Sequence, residues 1–541
     1  MSLQFITGNS GNGKTKYLFN RIVKEAKANP RDNYLVIVPE QFTMQTQRQL
    51  VDLSENKAIM NIDVLSFKRL AYRVFDELGI TNLTVLEETG KNLVLRKLAA
   101  QEADKLGVIG RNLNRIGYIS EVKSLLSELV QYNISPEELG RYIASGRLSD
   151  TLSDKLKDVL VLYEAFEKFM QDKYITAEEI LNVLSNVAEE SAILRNSVIA
   201  FDEFTGFTPI QNQLIKKLFV ISKKIYVTLT IDCREDIFKS RGMQELFDMP
   251  KRTVKSLTEM AAFYGIEVEE PIILDKNYRL AENEELSFME QQLFRKRRCS
   301  FKKVPKHIHI DCLRDPKQEL TKIARRINEL VRNENLRYRD IAIVTGDVNI
   351  YAGYVREIFD KYNIPYFIDA TQEILFHPFI EFIRSIPDIA AQNFSADAVF
   401  RFLRCGFSEL LDSEIDVLEN YVLACGVRGK IAWDKKWVRL PKHKAGYDIE
   451  LLNQSREYIM ELLKPVYQVF SDKKSTVKDY VLAIYKLIVL LDIPDKLAKK
   501  EQALLDAGDQ TASKEYGQIY KIVMQPVSYT HLRAHETDSY L

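Results

Sequence analysis

The hydrophobic pattern opens with a short apolar run, Leu3-Gln4-Phe5-Ile6-Thr7, which is broken by glycines at Gly8, Gly11 and Gly13. From Lys16 to Ala28 the period becomes helical, with Tyr17, Leu18, Ile22 and Val23 on one face. Runs that read as buried strands recur at Tyr34–Pro39, Asn61–Leu65, Ser197–Phe201 and Lys224–Ile231. Strands alternating with helices predict an α/β fold with a parallel sheet and ligands at the strand C-terminal ends. Between about Glu87 and Ser191 the texture is helical instead. There Val122, Leu125, Leu126 and Leu129, then Leu156, Val159, Leu160 and Tyr163, keep helical spacing.

A second α/β unit is expected from strands at His307–Cys312, Asp340–Thr345 and Tyr366–Ile368, with helices at Gln318–Val331 and Tyr351–Tyr362. From His377 onward the pattern is mostly helical. The expected division is a first α/β domain over 1–86 and 191–290, a helical insertion over 87–190, the start of a second α/β domain over 291–375, and a second helical insertion over 376–525. Val527–Thr537 carries neither period. Pro526–Leu541 reads as a non-native, adapter-encoded tail, so His531 and His535 are not taken as a metal site, and the natural protein is expected to continue past Gln525.

Composition changes this picture little. At 541 residues there is room for about three or four domains. Lys+Arg and Asp+Glu both number 76, so any nucleic-acid contact must use local patches and not a global basic field. The start of the chain does not read as a signal peptide, and no run of eighteen apolar residues suggests a membrane span. The five cysteines show no CxxC spacing, which suits free thiols in a reducing cytoplasm.

The chemistry starts at Gly8-Asn9-Ser10-Gly11-Asn12-Gly13-Lys14-Thr15, which fits the P-loop pattern in its required strand–loop–helix context. Backbone N–H groups of such a loop, with the helix N-terminus behind them, bind phosphate oxygens. Lys14 would reach the outer phosphates of ATP, and the Thr15 hydroxyl would ligate Mg²⁺. The plain alternative is a glycine-rich turn with a chance lysine. Asp202 and Glu203, at the end of an apolar strand, supply a candidate metal ligand and a candidate base for attacking water, or else an acidic strand end that caps a turn. Arg279 could stabilise charge on the γ-phosphate, or be an ordinary surface arginine. Gln41, Phe42 and Thr43, with Phe67, Lys68, Arg69 and Tyr72, combine hydrogen-bonding groups, aromatics and cations as single-stranded DNA requires. The basic run Arg295-Lys296-Arg297-Arg298, continued by Lys302, Lys303 and Lys306, is a solvated linker or a phosphate-contacting surface.

The order of these motifs resembles that of superfamily-one helicases, and more narrowly the AddB family. The resemblance rests on Val38-Pro39-Glu40-Gln41-Phe42-Thr43, Val64 to Tyr72 and Phe204-Thr205-Gly206-Phe207-Thr208-Pro209. Downstream it rests on Tyr338-Arg339-Asp340-Ile341-Ala342-Ile343, Ile364 to Asp369, His377-Pro378 and Leu418 to Leu423. It implies RecA-like sheets with large helical insertions, in a subunit that pairs with AddA in a bacterial helicase–nuclease processing DNA double-strand ends. In that pairing AddA translocates, while the AddB-like subunit scans single-stranded DNA for the Chi recombination signal. The family's Chi-binding positions fall on Gln41, Thr43, Phe67, Arg69 and Tyr72, and ATP with Mg²⁺ on the Gly8–Thr15 loop and Asp202. A nuclease domain with a [4Fe–4S] cluster is implied downstream, so none of Cys233, Cys299, Cys312, Cys405 or Cys425 is expected to ligate it. The chain departs from motor helicases in two places. Only seven residues precede Gly8, with no glutamine-bearing segment, and Thr230-Ile231-Asp232-Cys233-Arg234 stands where a motor carries a glutamine sensor. The implied role is ATP binding with at most slow hydrolysis, against a free-standing helicase or a scaffold with an empty loop.

Overall fold

The computed structural model describes residues 1–80, 85–86, 88–108, 110, 117–146, 148–171, 174–295, 299–369, 374–441, 447–472 and 474–534, with side chains of 89 and 525–534 outside that description. The chain forms two compact units, Met1–Asp311 and Cys312 onward.

In the first unit, β1 (Ser2–Gly8), α1 (Lys14–Ala28), β2 (Tyr34–Ile37), α2 (Thr43–Leu53), β3 (Ile62–Leu65) and α3 (Phe67–Leu78) alternate as expected. A short strand, β4 (Val85–Leu86), then opens a helical excursion through α4 (Glu88–Gln101), α5 (Tyr118–Gln131), α6 (Pro136–Ala144) and α7 (Asp150–Met170). The chain returns at β5 (Ile175–Thr176), which pairs in parallel with β4 and so fixes the point of departure beside the point of return. The excursion has its own core, in which Val122, Leu126, Val159 and Tyr163 meet Leu95 and Phe166. After α8 (Ile180–Val187) the sheet resumes with β6 (Val198–Phe201), α9 (Pro209–Ile221), β7 (Lys224–Thr230), α10 (Asp248–Phe263), β8 (Glu267–Val268), β9 (Ile272–Leu274) and α11 (Glu284–Gln292).

The sheet order is β3-β2-β6-β7-β1, with β8 and β9 both paired to the outer side of β1, and every pair is parallel. Helices cover both faces. Leu3, Phe5, Leu35, Ile37 and Phe201 pack under α3, α8, α9 and α10, while Ile6, Val36, Val38 and Ala200 pack under α1 and α2. Burial on both faces is why these strands read as unbroken apolar runs. One expected core position is displaced: Tyr17 is exposed, and Phe19 takes the buried place on α1.

The second α/β domain expected over 291–375, which straddles the two units, departs from expectation. Helices α12 (Pro316–Asn333) and α13 (Val348–Lys361) form and bury Leu320, Ala324, Ile327, Ile358 and Phe359 between them. The three strands expected at 307–312, 340–345 and 366–368 do not. Among the described residues these segments carry no ladder, and Ile310, Val344 and Phe367 stand exposed. An apolar β-branched run favours pairing but cannot satisfy its backbone without a partner strand. The rest is helical: α14 (Pro378–Ala391), α15 (Ala396–Leu403), α16 (Asp412–Cys425), α17 (Lys430–Asp434), α18 (Ile449–Ser471), α19 (Val477–Leu490), α20 (Ile493–Asp506) and α21 (Gln510–Ala534). They enclose an aromatic core of Phe379, Phe382, Phe402, Tyr421 and Trp433.

Helix α21 corrects the expectation of irregular backbone after Pro526, since it runs on to Ala534. Proline removes one N–H and strains the turn before it without forbidding continuation, as Pro387 in α14 and Pro465 in α18 also show. The His531 side chain, and all of His535 to Leu541, lie outside the described residues, as do Lys296, Arg297 and Arg298. Among the described residues no helix is long and apolar enough to cross a membrane.

Candidate active site and nucleic-acid interface

Because every strand of the large sheet runs the same way, the segments leaving β1, β2, β3, β6, β7 and β9 emerge along one edge. The glycine-rich loop, the acid pair, Arg279 and the expected single-strand contacts all follow those strand ends. Gly11 and Gly13 of the P-loop hold left-handed φ of 89° and 79°, which glycine adopts without a Cβ penalty. Gly11 is also pressed closely: a Cβ there would lie 2.8 Å from Arg279 Cβ and Asn277 Oδ1. Helix α1 starts with no side-chain cap and no acid in its first turn, so its first N–H groups remain available to an anion.

Asp202 leaves β6 with its side chain buried, 1 % exposed, and accepts a hydrogen bond from the Thr228 hydroxyl on β7. Its other oxygen, Oδ2, is buried with no hydrogen-bond partner. Burial pushes the Asp202 carboxyl above its usual range, and the Glu203 charge adds to the shift against the Thr228 hydrogen bond. Glu203 is exposed, with φ of 64°, a conformation uncommon for a residue with a side chain. The Thr15 hydroxyl donates to Glu203 Oε1 at 3.4 Å. One strand, β7, separates β1 from β6, which sets the P-loop and the acid pair roughly 10 Å apart at two inter-strand spacings.

Lys14 Nζ donates to the carbonyls of Gly8 and Asn9, both at 3.0 Å. Burial lowers its pKa, with Glu203 and Asp202 pulling the other way. The end of β9 and the residues after it strap the loop: Asn12 Nδ2 donates to Leu274 O at 2.6 Å, Tyr278 N to Gly11 O at 3.0 Å, and Asn277 Nδ2 to Ser10 O at 3.0 Å. Arg279 Nη1 reaches Ser10 Oγ at 3.3 Å. A cleft of about 780 Å³ is lined by Lys14, Thr15, Asp202, Glu203, Tyr278 and Arg279, among others. Sequence reading takes only Arg279 from its string and misses Asn277, Tyr278 and Thr228, whose roles depend on which strands become neighbours.

The residues read as strand contacts separate into two groups. Gln41, Lys68, Arg69 and Tyr72 are exposed, Tyr72 by 40 %. Arg69 Nε donates to Glu40 Oε1 at 2.9 Å, and Glu40 also accepts from the Ser66 hydroxyl, so α2 and α3 are tied at their N-terminal ends. Thr43 and Phe67 are buried, 3 % and 7 % exposed. Thr43 Oγ1 donates to Glu40 O at 3.0 Å. The Phe67 ring lies 5.8 Å from that of Phe201, 5.6 Å from Phe204 and 6.3 Å from Phe207. It therefore joins α3 to the loop that carries Asp202 and Glu203 and offers no open face to a base.

Comparison with known proteins gives the family. The family model described as ADDB, N-terminal matches residues 5–290. An ATP-dependent helicase/deoxyribonuclease subunit of Lachnoclostridium phytofermentans is 38 % identical over 535 residues, which cover 97 % of this chain and 46 % of that protein. Proteins of the same description from Clostridium novyi and Clostridium acetobutylicum are each 31 % identical, with the same coverage. The chain thus spans about half the length of the curated relatives it matches. With a family match that runs over residues 5–290, from β1 through the Gly8–Thr15 loop and the Asp202–Glu203 strand end into α11, this chain belongs to the AddB family.

Proposed function

We propose that the chain is the nucleotide-binding, strand-reading part of a helicase–nuclease subunit that acts with an AddA partner at DNA double-strand ends. Relatives named as ATP-dependent helicase/deoxyribonuclease subunits support the class of activity. The observation that carries the nucleotide reading is the buried, unpartnered Asp202 Oδ2 facing a P-loop whose helix N-terminus is uncapped. An oxygen left without a partner in the interior is costly unless a ligand satisfies it.

The residues fit a magnesium ion: the Thr15 hydroxyl and the Asp202 carboxylate would hold it, directly or through its waters, together with substrate phosphates. Bound there, the ion would neutralise phosphate charge. Among the described residues no group of three or more His, Cys, Asp and Glu could hold a metal by itself, which suits an ion that arrives with its nucleotide. An iron–sulfur cluster does not fit. It needs four thiolates, and neither unit supplies four: Cys233 and Cys299 belong to the first, Cys312, Cys405 and Cys425 to the second.

Glu203 would accept the proton of attacking water, Lys14 and Arg279 would bind the outer phosphates, and the Tyr278 face, 65 % exposed at the cleft, suits stacking on the base. Gln41, Arg69 and Tyr72 would contact single-stranded DNA directly, including Chi, while Thr43 and Phe67 shape that surface from beneath. Equilibrium binding of labelled MgATP tests the first part. Lys14→Ala should weaken it about tenfold or more, the order for a charge-assisted hydrogen bond, and equal binding would leave only a scaffold with an idle loop. ATPase assayed with single-stranded DNA and no AddA tests the second: vigorous stimulated turnover would favour a free-standing helicase.

A further inference from the structure

The second residue of the P-loop is held from a direction the phosphate chemistry does not require. Asn9 is buried, and both ends of its side chain are engaged. Its Nδ2 donates to Glu290 Oε1 on α11 at 2.5 Å, and its Oδ1 accepts from the Cys233 backbone N–H at 3.1 Å. The Asn9 carbonyl, in turn, is one of the two that hold Lys14 Nζ. The orientation of the Asn9 side chain and that of the Lys14 ammonium are thus fixed through one peptide unit.

The two anchors of Asn9 are themselves locked together. Asp232, next to Cys233, is buried and accepts from Arg234 Nε at 2.9 Å, Arg234 Nη2 at 2.6 Å and Arg295 Nη2 at 2.8 Å. Arg234 Nη2 also donates to Gln291 O at 3.2 Å, at the end of α11. Burial opposes ionisation of Asp232, but the hydrogen bonds from Arg234 and Arg295 outweigh it and hold the carboxyl well below its usual range. Two acids, Asp232 and Glu290, therefore stand with two arginines, so the bracket is formally neutral. A lone carboxylate beside a phosphate loop would repel its ligand; a neutralised one can act as a fixed acceptor.

We propose that Glu290 is a positioning residue for the nucleotide site: by holding Asn9 it sets the P-loop peptide that presents Lys14 to the phosphates. This rests on the nucleotide reading above and adds to it a residue far outside the loop. Glu290 touches no substrate in this role; its effect passes through Asn9.

The test uses the full chain and labelled MgATP. Glu290→Ala is expected to weaken binding about tenfold, the order for one hydrogen bond to a charged group. Glu290→Gln keeps an acceptor and should restore binding to within about twofold of the parent, a rescue that loss of charge alone would not give. Asn9→Asp sets a second carboxylate against Glu290. In that background Glu290→Gln should improve affinity, whereas in the parent it does not, and this coupling is read as a double-mutant cycle. Unchanged affinity in Glu290→Ala, or a cycle with no coupling, overturns the proposal while leaving the nucleotide site intact. Should Glu290→Ala not fold, the Asn9→Asp pair decides alone. A parent chain that binds no MgATP sinks the nucleotide reading itself and the Glu290 role with it.

Discussion

Replacing Phe67 separates a base-stacking role from a structural one. Its ring is buried against Phe201, Phe204 and Phe207. Phe→Ala at such a site costs about 3–5 kcal/mol, from lost burial plus the cavity left behind. Each aromatic pair adds about 0.5–1.5 kcal/mol beyond area, so Phe67→Ala belongs in the upper half of that range. At about 2 °C per kcal/mol for a large domain, the first unit should melt roughly 8–10 °C lower. Phe67→Leu is the sharper variant, since it nearly conserves volume and costs about 1–2 kcal/mol. It also removes the ring that could stack. Calorimetry and single-strand affinity, measured about 20 °C below the transition, then read the two roles apart. A buried keystone gives a lowered transition in Phe67→Leu and DNA affinity within about twofold of the parent. A base-stacking ring gives an unmoved transition and a loss of about 1–3 kcal/mol, the range for one base on one aromatic. That second result would show that Phe67 leaves its cluster to meet the strand, and the packing argument would be wrong.

The remaining predictions concern the acid pair and the strand-facing helix. Because the Asp202 carboxyl is raised above its usual range, a magnesium-bound nucleotide must displace its proton. MgATP affinity should climb as pH rises through that raised value and level off above it, and Asp202→Asn should remove the climb. The same shift has the opposite sign for folding: with the folded-state pKa above the unfolded one, protonated Asp202 favours the nucleotide-free fold at low pH, and this contribution is lost as pH rises through the folded pKa. Glu203→Gln should leave MgATP affinity within about threefold while cutting any turnover by at least the ~100-fold typical of a lost general base; turnover that survives would move the base elsewhere. Arg69→Ala should reduce discrimination between Chi and scrambled single strands, and equal loss on both would make Arg69 a phosphate contact.

The first sheet was readable because strands buried on both faces leave near-continuous apolar runs: β1, β2, β6 and β7 appear where such runs occur, and the half-buried edge strand β3 appears despite Asp63. β8 and β9 leave none, being two and three residues long at the sheet edge, yet β9 delivers the strap over the P-loop. Local pattern also misjudges Ile310, near the end of the first unit, and Val344 and Phe367 in the second, which sit in runs with the composition of strands but without the neighbours that make one. The site divides in the same way. Gly8 to Thr15 is a contiguous signature, whereas Phe67 meets partners more than 130 positions away, and Asn9 meets one 281 positions away. Nothing in the spacing around Phe67 distinguishes a ring aimed at a base from one aimed at Phe204.

The arrangement bears on whether such a site drives or only senses. The loop is held from one side by residues after β9 and from the other by Glu290 and Cys233. Little backbone therefore needs to move when a phosphate arrives, and preorganisation of that kind favours affinity. Under the proposed roles two side chains would turn toward the phosphates: Lys14, now held by the Gly8 and Asn9 carbonyls, and Arg279, now at Ser10. One packed route from the acid pair to the proposed DNA-contacting residues runs from Glu203 to Phe204, across to Phe67, and along α3 to Lys68, Arg69 and Tyr72. A packed aromatic cluster transmits force only if some element in the path has two arrangements. Glu203, held at a positive φ, is the residue on that path whose backbone stores strain. If Glu203 keeps that φ with nucleotide bound, the path is static, and occupancy can only stiffen the strand-facing surface. If it relaxes, the same path becomes a stroke, and the amide exchange of α3 with and without MgATP would report which of the two occurs.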